Sequence, residues 1–317
     1  MRKEAVILLN MGGPNNLEEV ELFLKNMFSD KNILTMKSDL LRAFIGGMIT
    51  FTRTESSQEI YRTLGGKSPL VGHTKKLVSK FQQRVGENVI VDFVMRYTPP
   101  FADEVIQKLQ KESVDKIYLI PLYPQYSTTT TKSSLEDFEQ SYHKMKGNAL
   151  LVEIKHFFEN QSYNRAIIER IQEQMIEGEY KEYDLVFSAH GLPQKIVDAG
   201  DVYEKHVNRH IEILKDMLSH KGMLFHKVHL AYQSKVGPMK WLEPSLEEKL
   251  SSIKNRNVII FPIAFTIDNS ETDYELSIEY RAIAKTLGFE NYKVCQCPND
   301  SDYFVDALEE IYNKMKQ

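Results

Sequence analysis

Six short apolar runs, at residues 5–10, 89–95, 117–122, 185–189, 228–233 and 258–265, alternate with longer amphipathic stretches from one end of the chain to the other. Runs this short, bounded by Gly, Pro and polar residues, read as buried strands, and the stretches between them as helices. The alternation predicts an α/β fold with parallel sheets. The halves also echo each other: AVILLNMGGP pairs with YDLVFSAHGLP, VIVDFVMRYTPP with VHLAYQSKVGP, and IYLIPLYPQYS with VIIFPIAFTID. Two similar doubly wound, Rossmann-like halves facing across a cleft follow from that pairing. The expected division is 1–155 and 156–317. Residues 156–183, with Ile167, Ile168, Ile171 and Met175 at helical spacing, form the crossover between them. One stretch departs from the pattern. Leu40, Leu41, Phe44, Ile45, Met48, Ile49 and Phe51 make an apolar band broken by Gly46 and Gly47, either a core helix or an apolar lip over a cleft that touches a hydrophobic ligand or lipid.

Composition narrows the classes. The chain has 317 residues, 42% hydrophobic and 26% charged, with formal net charge -4. It is long enough for two sizeable cores and has no basic excess to hold nucleic acid. Cys295 and Cys297 are its two cysteines, which excludes a disulfide framework and points to a reducing compartment. The N-terminal MRKEAVILLN lacks a small-residue cleavage site and reads as a first strand. No apolar stretch approaches the ~18 residues needed to span a bilayer. A cytoplasmic protein, at most peripheral to a membrane, is expected.

Candidate chemistry gathers at strand ends, where open α/β sheets keep their sites. Glu271, Glu275 and Glu279 follow the last strand at four-residue spacing, one face of an α-helix. His190 follows the fourth strand in SAHGLP, with Gly191 expected to let the backbone turn. Met11, Arg96, Tyr123, Tyr126, Lys235 and Trp241 end or follow other strands. An imidazole opposite a carboxylate suits proton removal near neutral pH, and a carboxylate ladder suits a divalent cation. With Met11, Tyr123, Trp241 and the apolar lip as walls, the ligand is flat, apolar and large. Metal insertion into a porphyrin combines these features. GGKS at 65–68 fails as a phosphate loop because Tyr61 stands where the first glycine belongs, and NMGGP lacks the third glycine of a dinucleotide fingerprint. His206 and His210 share a helix face and read as a surface pair, the two cysteines as packing.

At LNMGGP, GGKSPL, MRYTPP, YPQYS, SAHGLP, YQSKVGPMKWLEP and PIAFTIDNSETDYELSIEY the chain resembles the ferrochelatase family, from the first strand to about Gly288. The resemblance implies insertion of Fe(II) into protoporphyrin IX, the last step of protoheme synthesis, in a porphyrin cleft between the two halves. It places the family's catalytic histidine on His190 and its glutamate on Glu271, both also metal-contacting. Glu275 and Glu279 continue the iron path on a helix that often carries a π-type bulge, guiding iron in or protons out. Met11, Arg96, Tyr123, Tyr126, Lys235 and Trp241 fall on the porphyrin. Iron is then a substrate and no resident cofactor is expected. A monomer is expected, with residues 40–51 as a candidate for peripheral contact with the inner membrane.

The chain departs from the family pattern in places. Asn269 stands where relatives often carry histidine, and carboxamide neither ligates nor accepts protons as imidazole does. Ser277 replaces a common acidic residue. Thr128 occupies a cluster-cysteine position of certain members, so no iron–sulfur cluster is expected. Met11 differs from the tyrosine typical of the coproporphyrin-using branch and favours protoporphyrin IX. Three alternatives stay open: coproporphyrin ferrochelatase, a chelatase of a more polar tetrapyrrole served by Lys67, Arg96 and Lys235, and a non-catalytic porphyrin or heme carrier.

Overall fold

A computed structural model describes residues 3–317 except 177, 236 and 238. Residues 1 and 2 of the N-terminal segment, Glu177 of the predicted crossover, and Val236 and Pro238 of YQSKVGPMKWLEP lie outside the described residues. The described residues divide into two units, those up to 157 with 305–317 and those within 158–304.

In unit 1 the chain runs β1 (Glu4–Asn10), α1 (Glu19–Ser29), α2 (Asp39–Thr63), α3 (Leu70–Val85), β2 (Val89–Met95), α4 (Ala102–Lys111), β3 (Lys116–Pro121), α5 (Ser133–Lys144) and β4 (Leu150–Glu153). Unit 2 holds α6 (Gln161–Gln172), β5 (Asp184–His190), α7 (Gln194–Asp198), α8 (Tyr203–His220), β6 (Lys227–Gln233), α9 (Leu246–Ser252), β7 (Asn257–Pro262), α10 (Tyr280–Thr286) and β8 (Asn291–Val294). A last helix, α11 (Asp302–Met315), returns the chain to unit 1 from Val305 onward.

Both sheets are parallel and share one strand order, β2-β1-β3-β4 and β6-β5-β7-β8. The repeated sequence pairs therefore mark equivalent strands. The central strands are apolar throughout because both their faces are covered: Ala5 to Leu8 and Leu185 to Phe187 are fully buried. In unit 1 Ile7, Leu9 and Leu119 pack with Val105 and Ile106 of α4 and Phe138 of α5. In unit 2 Val186, Val258 and Ile260 pack with Leu250 of α9, with Leu276 of the helical segment 271–279 and with Ala284 of α10. Fully burying one such Leu or Ile contributes roughly 1.5–3 kcal/mol. Leu276 thus fastens its helix to the end of β7.

The structure adds two strands that the pattern hid. β4 (LLVE) and β8 (NYKV) are four-residue edge strands with mixed exposure, too short to register as apolar runs. The division differs from 1–155 and 156–317 because α11 packs on the first sheet. There the Tyr312 ring meets Tyr118 edge-on at 5.0 Å, its hydroxyl bonds Glu4, and Arg84 pairs with Asp306 at 2.6 Å.

The apolar band lies on α2 and is not a core helix. Leu40 and Phe51 are 86% and 87% exposed, and Leu41, Phe44 and Met48 are also exposed. Only Gly46, Thr50 and Tyr61 of α2 are buried. Gly46 is required by close approach, since a Cβ there would stand 2.7 Å from the Phe28 carbonyl oxygen. No helix among the described residues is long and apolar enough to cross a membrane.

Candidate active site

With this strand order the crevice at the carboxyl edge opens where the chain switches sides of the central strand. In unit 2 three segments end there: β5 at His190, β6 at Gln233 and β7 at Pro262. β5 pairs directly with both neighbours. His190 is held by its backbone and its ring. Its carbonyl accepts from the Tyr203 hydroxyl at 3.0 Å, and Nδ1 lies 2.8 Å from Glu271 Oε2. A carboxylate accepts, so Nδ1 carries the hydrogen and Nε2 of the neutral ring is left as proton acceptor. Gly191 serves close packing, not the expected turn. It is outside the left-handed backbone region, and a Cβ would stand 2.8 Å from the Gln233 carbonyl oxygen and 3.3 Å from Trp241.

Glu271 opens a π-helix, Glu271–Glu279, that runs directly into α10. The ladder is therefore not the α-helical face its spacing suggests. Bonds close five residues apart: the Tyr280 amide donates to the Glu275 carbonyl, and the Ser277 hydroxyl to the Thr272 carbonyl at 2.8 Å. π turns inside helices mark functional sites frequently. Unit 1 carries a second one, Thr128–Lys132, at the equivalent place after β3. Asn269 is a cap. Its Oδ1 accepts from the Glu271 amide at 2.8 Å, its Nδ2 donates to the Ile267 carbonyl at 3.1 Å, and the residue is buried.

Behind the His190–Glu271 pair, Gln233 and Ser234 bind both carboxylates. The Ser234 amide donates to Glu275 Oε1 at 2.8 Å, and its hydroxyl lies 2.5 Å from Glu275 Oε2 and 3.2 Å from Glu271 Oε2. Gln233 Nε2 is 3.4 Å from each carboxylate, with its amide oxygen fixed by Ser188 at 2.7 Å. A hydroxyl has one hydrogen, so Ser234 bonds both at once only if one carboxyl is protonated and donates to the serine oxygen. Glu275 fits that role. Burial and the charge of Glu271 push its pKa up to about 7. At His190 burial pulls the pKa down, but the charge and hydrogen bond of Glu271, with the charge of Glu275, outweigh it and raise the pKa. Burial also raises Glu279, which is exposed at the far end of the π-helix.

The remaining candidates divide between the units. Trp241 and Lys235 belong to unit 2, Trp241 half-buried and bridged to Pro193, Lys235 exposed. Met11, Arg96, Tyr123 and Tyr126 lie at the carboxyl edge of the first sheet. Arg96 is tied by all three nitrogens: Nε to Ser133 at 3.1 Å, Nη1 to Asp137 at 3.0 Å and Nη2 to buried Asp30 at 3.4 Å. Tyr123 is buried, its hydroxyl 3.0 Å from that of Ser134. A cavity of about 200 Å³ beside Arg96 is lined by Asp30, Arg42, Glu136 and Asp137, all of unit 1.

The expected surface pair is corrected. His210 is fully buried with Nε2 2.7 Å from Asn164 Oδ1, and burial lowers its pKa to about 3, while His206 is half-buried against Phe158. Cys295 and Cys297 are buried and free, their thiols raised by burial. Among the described residues no group of three or more His, Cys, Asp or Glu side chains is arranged to hold a metal ion. His190 and Glu271 supply two donors. Sequence reading missed Gln233, Ser234 and the capping role of Asn269. The strand-end rule that selected Lys235 passes one residue from Ser234.

Among solved structures, the sirohydrochlorin chelatase SirB from Bacillus subtilis subspecies spizizenii in complex with cobalt aligns with a TM-score of 0.57 at 10% identity, over 99% of this chain and 95% of that one. SirB from Bacillus subtilis with Fe3+ aligns with a TM-score of 0.59 at 11% identity, with the same coverage. Those likenesses establish a chelatase-type fold of two halves. The family follows from sequence. The ferrochelatase family profile matches residues 3–316. The ferrochelatase of Sulfurimonas denitrificans is 68% identical over the full length of both chains, and that of a Nitratiruptor species is 55% identical over 98% of this chain and all of its own. The chain belongs to the ferrochelatase family, enzymes of heme biosynthesis that insert metal into a porphyrin.

Proposed function

We propose that His190 is the proton acceptor in the insertion of Fe(II) into protoporphyrin IX, with Glu271 orienting its ring and Glu275 and Glu279 lining the path of iron or of departing protons. The observation that carries this reading is the 2.8 Å contact of His190 with Glu271, backed by a second carboxylate. Insertion exchanges two pyrrole protons for one divalent cation, so the site must take protons and tolerate a cation together. His190 Nε2 takes the two pyrrole protons in turn, Glu271 stabilises the imidazolium that forms each time, and each proton leaves along Glu275 and Glu279. Whenever Nε2 is free of that proton, His190 and Glu271 present nitrogen and oxygen donors to Fe(II), a set that borderline divalent metals accept. Met11, Arg96, Tyr123, Tyr126, Lys235 and Trp241 are the proposed porphyrin contacts. Binding there in a saddled shape turns pyrrole lone pairs out of the ring plane.

Asn269 has both ends of its carboxamide engaged within its own loop, so metal delivery passes to the carboxylates. No iron–sulfur cluster is proposed, because such a centre needs four ligands and the chain has two cysteines. The chain is proposed to act as a cytoplasmic monomer. Leu40, Phe44, Met48 and Phe51, exposed on α2, support peripheral contact with the inner membrane.

The test is anaerobic insertion of Fe(II), offering protoporphyrin IX and coproporphyrin III separately. Faster turnover of protoporphyrin IX is expected. Preference for coproporphyrin III overturns the reading of Met11, and tight binding of either porphyrin without turnover replaces catalysis by carriage.

A further inference from the structure

Ser234 is the first residue beyond β6, whose last residue, Gln233, sits level with His190 in the parallel register. Its backbone φ is 64°, in the left-handed region that disfavours residues with a Cβ and that glycine adopts freely. Glycine would make this turn more easily, yet the position is a serine. The turn brings two polar groups of one residue to one carboxyl: the N–H donates to Glu275 Oε1 at 2.8 Å, and the hydroxyl lies 2.5 Å from Oε2. That bidentate grip fixes the carboxylate plane as well as its position. The same oxygen reaches Glu271 Oε2 at 3.2 Å. A hydroxyl bonded to both carboxyls, donating to one and accepting from the other, holds their spacing.

We propose that Ser234 is a positioning residue that sets the spacing of the Glu271 and Glu275 carboxylates, so that an incoming divalent cation meets a preformed pair of oxygen donors beside His190. This rests on the reading of Glu271 and Glu275 as the cation-handling groups. Lys235, the neighbour singled out by sequence, is exposed and has no such place. The backbone donor survives every substitution except proline, so the hydroxyl is what the side chain adds.

Ser234→Gly is the discriminating variant, since it keeps the N–H donor, removes the hydroxyl together with its Cβ, and suits the left-handed backbone. Steady-state insertion is measured with Fe(II) and with Zn(II), with Glu275→Gln and the double variant alongside and thermal melting as the folding control. Ser234→Gly is expected to raise KM for the metal by about tenfold, the loss of one charge-assisted hydrogen bond, with KM for porphyrin unchanged. In the Glu275→Gln background the same change is expected to cost less than about twofold, because the bonded partner has already changed. A metal KM for Ser234→Gly within twofold of wild type, while Glu275→Gln raises it, overturns the proposal and leaves the serine a turn residue. Additive losses in the double variant also overturn it. Unchanged metal dependence in both Glu271→Gln and Glu275→Gln removes the underlying reading of the ladder instead.

Discussion

Substituting Glu271 by glutamine removes a charge and almost nothing else. Its Oε2 receives His190 Nδ1 at 2.8 Å, the Ser234 hydroxyl at 3.2 Å and Gln233 Nε2 at 3.4 Å. Glutamine keeps the length and one acceptor oxygen, but it cannot stabilise an imidazolium as a carboxylate does. A hydrogen bond to a charged group contributes about 1.5–3 kcal/mol, and ~1.4 kcal/mol is tenfold in rate. The unscreened expectation is therefore a loss of roughly 10- to 150-fold. The side chains of His190 and Glu271 are 38% and 25% exposed, so solvent screening discounts the value. A fall in kcat of about 10- to 30-fold is expected. Anaerobic Fe(II) insertion gives kcat, and porphyrin fluorescence titration gives affinity, which should change less than about twofold. A kcat within twofold of wild type in a folded Glu271→Gln variant refutes the role of the pair.

Two stability predictions concern groups away from this chemistry. The Asp184 side chain is 3% exposed and accepts from His226 Nδ1 at 2.6 Å, His229 Nε2 at 2.8 Å and Asn255 Nδ2 at 3.1 Å. Burial raises its pKa, but the hydrogen bonds from His229, His226 and Asn255 outweigh it and hold the carboxyl below its ordinary range. With the folded value below the unfolded one, its stabilisation is full above the unfolded value of about 3.9 and fades as pH falls through the folded value. Asp184→Asn should cost about 2 kcal/mol in urea unfolding at pH 7 and less at pH 3; an equal loss at both contradicts the sign. His210→Ala should cost about 2–4 kcal/mol by leaving a cavity and an unsatisfied Asn164 oxygen, while His206→Ala should cost under about 1 kcal/mol and leave insertion unchanged. Equal melting temperatures for the two variants would contradict the burial assignment.

The central sheets are legible in the sequence because strands covered on both faces become continuous apolar runs, and because the two halves repeat one pattern. β4 and β8 carry no such signal, being short edges with polar residues among the apolar ones. The four-residue spacing of His206 and His210 says that they share a face, but not which face is covered. The same limit applies to α2, whose apolar band faces outward although its composition equally suits a core. At the site, His190 and Glu271 stand out by residue type and by their places at strand ends. Ser234 and Asn269 do not, because small polar residues are common there and their value lies in hydrogen-bond direction, which one-dimensional spacing does not encode. The π-helix is hidden for a related reason: glutamates four apart look α-helical until the bonds themselves are traced.

The most direct test is a paired measurement on His190→Ala and wild type: the rate of Fe(II) insertion into protoporphyrin IX under anaerobic conditions, with porphyrin affinity in the same samples. The predicted result is a rate loss of at least about 10²-fold, the contribution of a positioned proton acceptor, with affinity within about twofold. Near-wild-type turnover in the folded variant would contradict the assignment of His190 as the group that takes the pyrrole protons.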